Sequence, residues 1–429
     1  MGFGGGNFLT QNKVLPGTYV NFISASRASS SFSDRGVAAI GLELDWGADN
    51  EVIEVTSGDF SSNSISLFGY AYSNEKLIGL RELFKNVRTL YVYKLNTGSK
   101  ASNEYVTARH SGIRGNDLKI AISVDLDGNY NVRTLLNTSI VDTQTVTEAS
   151  ELLDNDFVVF KKETSLIETV AIELTGGANG IVDGSSHQEF LDKIGSYTFN
   201  AIGVVATSEN IKSLYVEFTK RMRDEVGSKF QCVVYNKAAD YEGVVDVKNK
   251  CAENEAGLVY WATGIVASCE VNKSNQNRLY DGEFTVSAAY TQAELEQAMK
   301  AAEFTLHKVS GDIRVLADIN SLKTFTDTKG AIFQDNQTVR VTDQIANDIA
   351  LLFAEKYIGN IPNDESGRIS LWSDIVQHHQ RLQNIRAIEN FSDSDVTVLQ
   401  GDTKKSVVVN DAITIVNTMS QLYMTVEVQ

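Results

Sequence analysis

Two nearly continuous apolar runs, residues 199–205 and 230–235, stand on either side of a long amphipathic stretch, residues 208–226. An apolar run without alternation describes a strand buried on both faces, and such strands belong to parallel sheets whose crossovers are helices. The same rhythm appears earlier. Residues 36–44 read as a buried strand, residues 74–86 as a helix with Leu77, Ile78, Leu80, Leu83 and Phe84 on one face, and residues 90–93 as a strand. It continues later, with helices opening at Ser185 and Thr291 and a strand over residues 312–317. This spacing predicts a mostly parallel sheet with helices on its faces.

Between the two stretches the texture changes. Residues 104–109, 118–124 and 130–134 alternate as short strands, the last two joined by the Asp127-Gly128-Asn129 turn. The pattern Thr145-Val146-Thr147-Glu148 predicts a capped helix there. A strand at residues 171–174 then runs into the glycine-rich loop Gly176-Gly177-Ala178-Asn179-Gly180. The expected architecture is α/β plus α+β, a β-rich unit over residues 97–172 splitting an α/β unit into residues 24–96 and 173–330. A third, α+β region follows over residues 331–412, with helices at 342–358 and 371–388 and a hairpin of residues 396–399 with 407–409. The ends, residues 1–23 and 413–429, read as extended arms.

With 429 residues the chain exceeds one small core, so two or three domains are expected. The formal net charge of −17 with no long basic tract argues against nucleic acid or anionic lipid as partner. No apolar run is long enough to span a bilayer, and the opening Met1-Gly2-Phe3-Gly4-Gly5-Gly6-Asn7 does not read as a signal peptide. Cys232, Cys251 and Cys269 lie far apart, without metal spacing, and are expected as reduced thiols.

Catalytic constellations are missing from the pattern. None of the five histidines, His110, His187, His307, His378 and His379, lies in a nucleophile-elbow context. The glycine-rich stretches lack the Gly-Lys-Ser/Thr of a phosphate loop, and the acidic turns around Asp125 and Asp393 lack the calcium-loop spacing. No cofactor or metal is expected. A hydrolase on the α/β scaffold and a monomeric ligand-binding protein are the competing readings.

What stands out physically is the pair of strand-like ends. Residues 18–23, 413–416 and 422–428 have strand character but no partner in a local hairpin. Unpaired strand edges template pairing with another chain, and monomeric proteins usually suppress them. Two fates are open: addition to a neighbouring copy, or return to the chain's own sheet.

The segment Lys13-Val14-Leu15-Pro16-Gly17-Thr18-Tyr19-Val20-Asn21-Phe22, followed by Arg35-Gly36-Val37-Ala38, resembles the amino-terminal pattern of tail sheath proteins from phages of Gram-positive bacteria. The Leu174-Thr175-Gly176-Gly177-Ala178-Asn179-Gly180 loop with Phe199-Asn200-Ala201-Ile202 is similar to the entry into their subtilisin-like domain, and Leu371-Trp372-Ser373-Asp374 onward resembles their carboxy-terminal domain. The resemblance implies a non-catalytic subunit of stacked six-fold rings around a tail tube, which contracts to drive the tube through an envelope. Its partners would be further copies, the tube, the baseplate and the tail terminator, assembled in the host bacterial cytoplasm without membrane insertion. It implies inter-subunit arms carrying Val14, Tyr19, Phe22, Ile413, Ile415, Tyr423 and Val426, and an acceptor hairpin of Val396, Val398, Val407 and Val409. Arg381 and Arg386 are the candidate tube-facing cations, and the β-rich unit is expected to point outward.

Overall fold

The computed structural model describes residues 34–428. Val14, Tyr19 and Phe22 lie outside the described residues. The chain opens with β1 (Val37–Leu42) and β2 (Val52–Thr56), then α1 (Ser57–Phe68), α2 (Ile78–Phe84) and β3 (Thr89–Lys94). After the β-rich segment it resumes with α3 (Gly184–Ile194), and β10 (Ala201–Val204), α4 (Glu209–Arg221), β11 (Gln231–Tyr235), β12 (Val244–Val247) and α5 (Leu258–Ser268) follow. One six-stranded sheet in the order β12-β11-β10-β1-β3-β2 unites both halves, parallel except for β2, which runs antiparallel to β3.

Why these strands are apolar throughout is visible in the packing. Ala38 and Ile40 of β1 enter the core under α2 and α5, whereas Ala39 between them enters the core under α3 and α4. In β11, Val233 faces the first core while Cys232 and Val234 face the second. The period-2 alternation thus divides β1, β10 and β11 between two buried layers, whereas the edge strand β2 leaves Glu54 exposed. Helix α5 is buried nearly all round, and at Gly203 it approaches so closely that a Cβ would lie 2.6 Å from Thr263 Oγ1.

The β-rich segment contains β4 (Val106–Ala108), β5 (Leu118–Val124), β6 (Tyr130–Leu136), β7 (Ser139–Val146), β8 (Val158–Phe160) and β9 (Thr169–Glu173). They form a four-stranded antiparallel sheet, β7-β6-β5-β9, and a separate β4-β8 pair. The helix expected at Thr145–Glu148 is absent: Val146 ends β7, and only a single 3₁₀ turn follows at Ala149–Glu151. Thr145 Oγ1 donates across the sheet to Asn131 Oδ1 at 2.7 Å, so cross-strand pairing took the residue that would have capped the helix. Trp46 from the first α/β segment is buried in this unit's core, edge-on to His110 and stacked on Phe157.

Beyond the sheet lie α6 (Gln292–Ala301), opened by the expected Thr291–Glu294 capping box, and β13 (Leu306–Val309) with β14 (Asp312–Val315). β14 does not join the parallel sheet, because it folds back on β13 as a tight antiparallel pair. The last region holds α7 (Asn336–Leu352), α8 (Glu365–Asn384), β15 (Ile388–Glu389), β16 (Val396–Gln400), β17 (Val407–Asp411) and β18 (Thr414–Ile415). No helix among the described residues is long and apolar enough to cross a membrane.

Candidate assembly surface at the carboxy-terminal hairpin

Two aspartates start the helices that support this surface. Asp335 accepts from the backbone N–H of Gln337 and Thr338, and Asp364 from that of Gly367, satisfying first-turn donors that have no partner inside the helix. α8 ends at Asn384, earlier than the sequence reading placed it. Arg386 therefore leaves the helix and sits in a turn with φ +61°, exposed, while Arg381 remains on α8, half-buried and donating to Gln377 Oε1 at 3.3 Å.

The β16–β17 hairpin rests on α8. Val396 is buried in a core with Leu371, Ile375 and Val376, and Val398 and Val407 pack at its margin. The register pairs Val398 with Val409 and Gln400 with Val407, so all four valines singled out by the sequence share one face. Val409 stays 37% exposed. The opposite face presents Leu399 and Val408, a cross-strand apolar pair turned to solvent.

Among the described residues the hairpin is a sheet of two strands. Gly401 N–H donates to Ser406 O at 2.9 Å, and Ala412 N–H donates to Asp395 O at 3.2 Å, so the two ends are closed. Antiparallel alternation then makes Thr397–Asn410 and Leu399–Val408 the bonded pairs. The backbone groups of Val398, Gln400, Val407 and Val409 point away from the partner strand. Among the described residues none of these has a backbone partner on the outer side. On the β16 side Trp372 Nε1 of α8 donates to Val396 O at 3.0 Å, leaving Val398 and Gln400 as the open part of that edge. A two-stranded ribbon is marginal alone, and such open stretches invite further strands.

Histidines anchor this hairpin to the helices. His379, buried in the last third of α8, places Nε2 2.7 Å from Asp411 Oδ2 on β17, and its neighbour His378 places Nε2 3.0 Å from Asp348 Oδ2 on α7.

Of the carboxy-terminal arm residues, Ile413 and Ile415 pack at the margin of a core with Leu382, Ala387 and Ile388. Ile415 stands opposite Ile388 in the β15–β18 pair of the same chain. Gln337 then holds the chain on both sides, its Nε2 donating to Val416 O at 3.0 Å and its Oε1 accepting from Thr418 N–H at 3.0 Å. Beyond Thr418 the character changes: Met419, Leu422, Tyr423, Met424, Val426 and Val428 are all at least 68% exposed. Among the described residues Tyr423 hydrogen-bonds only locally, to Gln421 Oε1.

One polar cluster escaped the sequence reading because its members come from distant segments. Ser111 Oγ donates to Asp49 Oδ1 at 2.5 Å and accepts from Lys94 Nζ at 2.9 Å and Gly98 N–H at 3.0 Å. Ser111 is 1% exposed and Lys94 2%. Burial pushes the Lys94 ammonium below its ordinary value; against burial, the hydrogen bonds from Ser111 hold the Asp49 carboxyl low. With its hydroxyl fully engaged and sealed from solvent, Ser111 is a structural clamp. The Gly176–Gly180 loop closes beside it: Gly176 has φ +85°, and a Cβ at Gly180 would meet Thr97 O at 2.1 Å.

Comparison with known proteins agrees with this layout. Tail sheath profiles match in succession: the Gp18 domain III N-terminal region over residues 35–95, the phage tail sheath β-sandwich domain over 96–179, the phage tail sheath central domain over 180–321 and the phage tail sheath C-terminal domain over 328–429. The phage-like element PBSX protein XkdK of Bacillus subtilis is 30% identical over 99% of both chains. The crystal structure of a sheath tail protein from Desulfitobacterium hafniense superposes with a TM-score of 0.81 at 32% identity, covering 94% of this chain and 98% of that one. The helical sheath of the anti-feeding prophage in its contracted state shares the fold, with a TM-score of 0.58 at 12% identity over 97% of this chain and 99% of that one. The chain belongs to the phage tail sheath family, the structural subunits of contractile tails.

Proposed function

We propose that copies of this chain polymerise by exchanging terminal strands onto the β16–β17 hairpin. The arms lie within residues 1–23 and 413–429, and the exchanged part of the second begins after Thr418. The observation that carries the reading is a hairpin that, among the described residues, has two strands and outward backbone groups at Val398, Gln400, Val407 and Val409 without backbone partners, in a chain whose tail from Met419 onward is exposed and apolar. Each inserted apolar side chain contributes about 1.5–3 kcal/mol before the ordering cost is subtracted. Repeated through stacked six-fold rings around a tail tube, such links join every copy to its neighbours.

In this reading the extended sheath is a metastable packing. Contraction slides the folded bodies past one another while the arm strands stay paired, and growing contacts between the α/β units supply the driving energy. The β-rich unit points outward, Arg381 and Arg386 face the tube, and baseplate and terminator bound the stack. The particle assembles in the bacterial cytoplasm with no step on nucleic acid or inside a membrane. The parallel sheet with helices on both faces is the subtilisin-like core, retained without catalysis, and a serine-directed activity probe leaves it unlabelled. The hydrolase alternative finds no support among the relatives.

Electron microscopy of the purified chain tests the proposal. Rings or tubes are expected from the full chain, and folded monomers from a chain lacking residues 1–23 or 419–429. Normal tubes from either truncation would sink it.

A further inference from the structure

A groove of about 450 Å³ opens beside the end of β17, lined by Phe353, Tyr357, Ile361, Leu371 and Val407. Its floor is apolar and its mouth is not: Arg368 and the exposed Lys404 and Lys405 of the hairpin loop stand around it. In a chain of net charge −17 this is a local reversal of sign. An apolar floor with a cationic rim is the form of a site for an apolar segment that carries a negative charge.

The chain contains such a segment. Residues 419–428 hold six exposed apolar side chains, and their single charge is Glu427. We infer that the groove receives Tyr423 and its neighbours from the tail of a second copy, with the ring against Phe353 and Tyr357 and Glu427 toward the lysines. This rests on the reading of the tail as an exchanged arm, and it adds where the arm is anchored. Tyrosine suits such a place, since its ring buries area at little entropic cost and its hydroxyl stays near the polar rim.

Geometry favours another copy over the chain's own tail. Thr418 is held by Gln337 at the start of α7. Phe353 and Tyr357 lie sixteen and twenty positions further on, about 24 and 30 Å away at the helical rise of 1.5 Å per residue. Tyr423 is five residues past Thr418, a reach of at most about 18 Å for a fully extended chain. Its own tail would have to be fully extended to bring the ring to Phe353, and it falls short of Tyr357.

Mixed-copy crosslinking of the full chain tests the inference. One population carries Ile358→Cys at the groove and the other Thr425→Cys beside the intact Tyr423, both at exposed positions, while native Cys232, Cys251 and Cys269 are buried. Mild oxidation after co-assembly is expected to give a reducible dimer that neither population gives alone. Separately, Tyr423→Ala is expected to raise the concentration needed for assembly at least about tenfold, the scale of a buried aromatic anchor. Normal tubes without the crosslinked dimer overturn the groove and leave strand exchange standing. A chain with both substitutions that crosslinks only within itself overturns the second copy as occupant. A wild-type chain that never assembles overturns both.

Discussion

His379 on α8 and Asp411 on β17 meet through Nε2 and Oδ2 at 2.7 Å, and this contact ties the hairpin's second strand to the helix beneath it. His378 does the same toward Asp348 on α7 at 3.0 Å. The two adjacent rings place their Nδ1 atoms 3.3 Å apart, so the side chains of α7, α8 and β17 form one polar chain through a buried site. A sheath subunit pulled through its hairpin would pass that load directly into its helices.

Replacing Asp411 with alanine leaves His379 Nε2 buried without its acceptor. The expected cost is about 1–3 kcal/mol, the penalty for an unsatisfied buried donor. Hydrogen exchange along β17 is expected to accelerate before that of α8, and thermal melting to fall by a few degrees. Unchanged exchange in β17 would remove the tie.

Val409→Pro separates folding from assembly. Its N–H points to the open edge, where proline is tolerated, whereas the N–H of Val408 bonds to β16. The prediction is a V409P chain with native circular dichroism and melting that forms no tubes, beside a V408P chain whose hairpin itself is lost. Tubes from V409P would exclude the β17 edge as acceptor.

Lys94→Ala breaks the buried clamp and strands Asp49 and Ser111. Removing one partner of a buried pair costs about 3–5 kcal/mol. The double variant Lys94→Ala/Asp49→Ala is expected to be more stable than the single one, since no uncompensated charge remains. Equal stability in a thermal melt would show that the pair is not coupled.

Asp246 supplies a pH test. Burial raises its carboxyl from 3.8 to about 6. A carboxyl that is easier to protonate in the folded state holds more protons there than in the unfolded chain between these values, so its contribution falls as pH rises from about 4 to about 6 and stays unfavourable above. Asp246→Asn keeps the oxygen that accepts from Lys237 N–H. It is expected to melt higher than wild type at pH 8 and equally at pH 4. An equal advantage at both values would assign the effect to packing.

Much of the α/β unit was legible because its strands are short, apolar and separated by amphipathic helices. Residues 199–205 and 230–235 contain β10 and β11, and residues 118–124 coincide with β5. The misses have physical causes. Helix α5 is apolar nearly all round, so it carries no 3.6-residue period to detect. β12 is four residues long and buried at every position, too brief to distinguish from a loop. The Thr145–Glu148 pattern matched a capping box, but β6 competed for Thr145 and Val146 as a sheet partner and won.

The hairpin of the assembly surface was also legible, as two valine-rich runs around Gly401-Asp402-Thr403. Local order was written in the sequence because turn chemistry and side-chain period act over neighbouring residues. Long-range choices were not. Only the tertiary structure decided that Ile415 pairs with Ile388 while Tyr423 stays outside, that Arg386 leaves α8, and that Lys94, Asp49 and Ser111 converge. Each depends on which distant segment arrives to satisfy a backbone edge or a buried charge, and no local period records that.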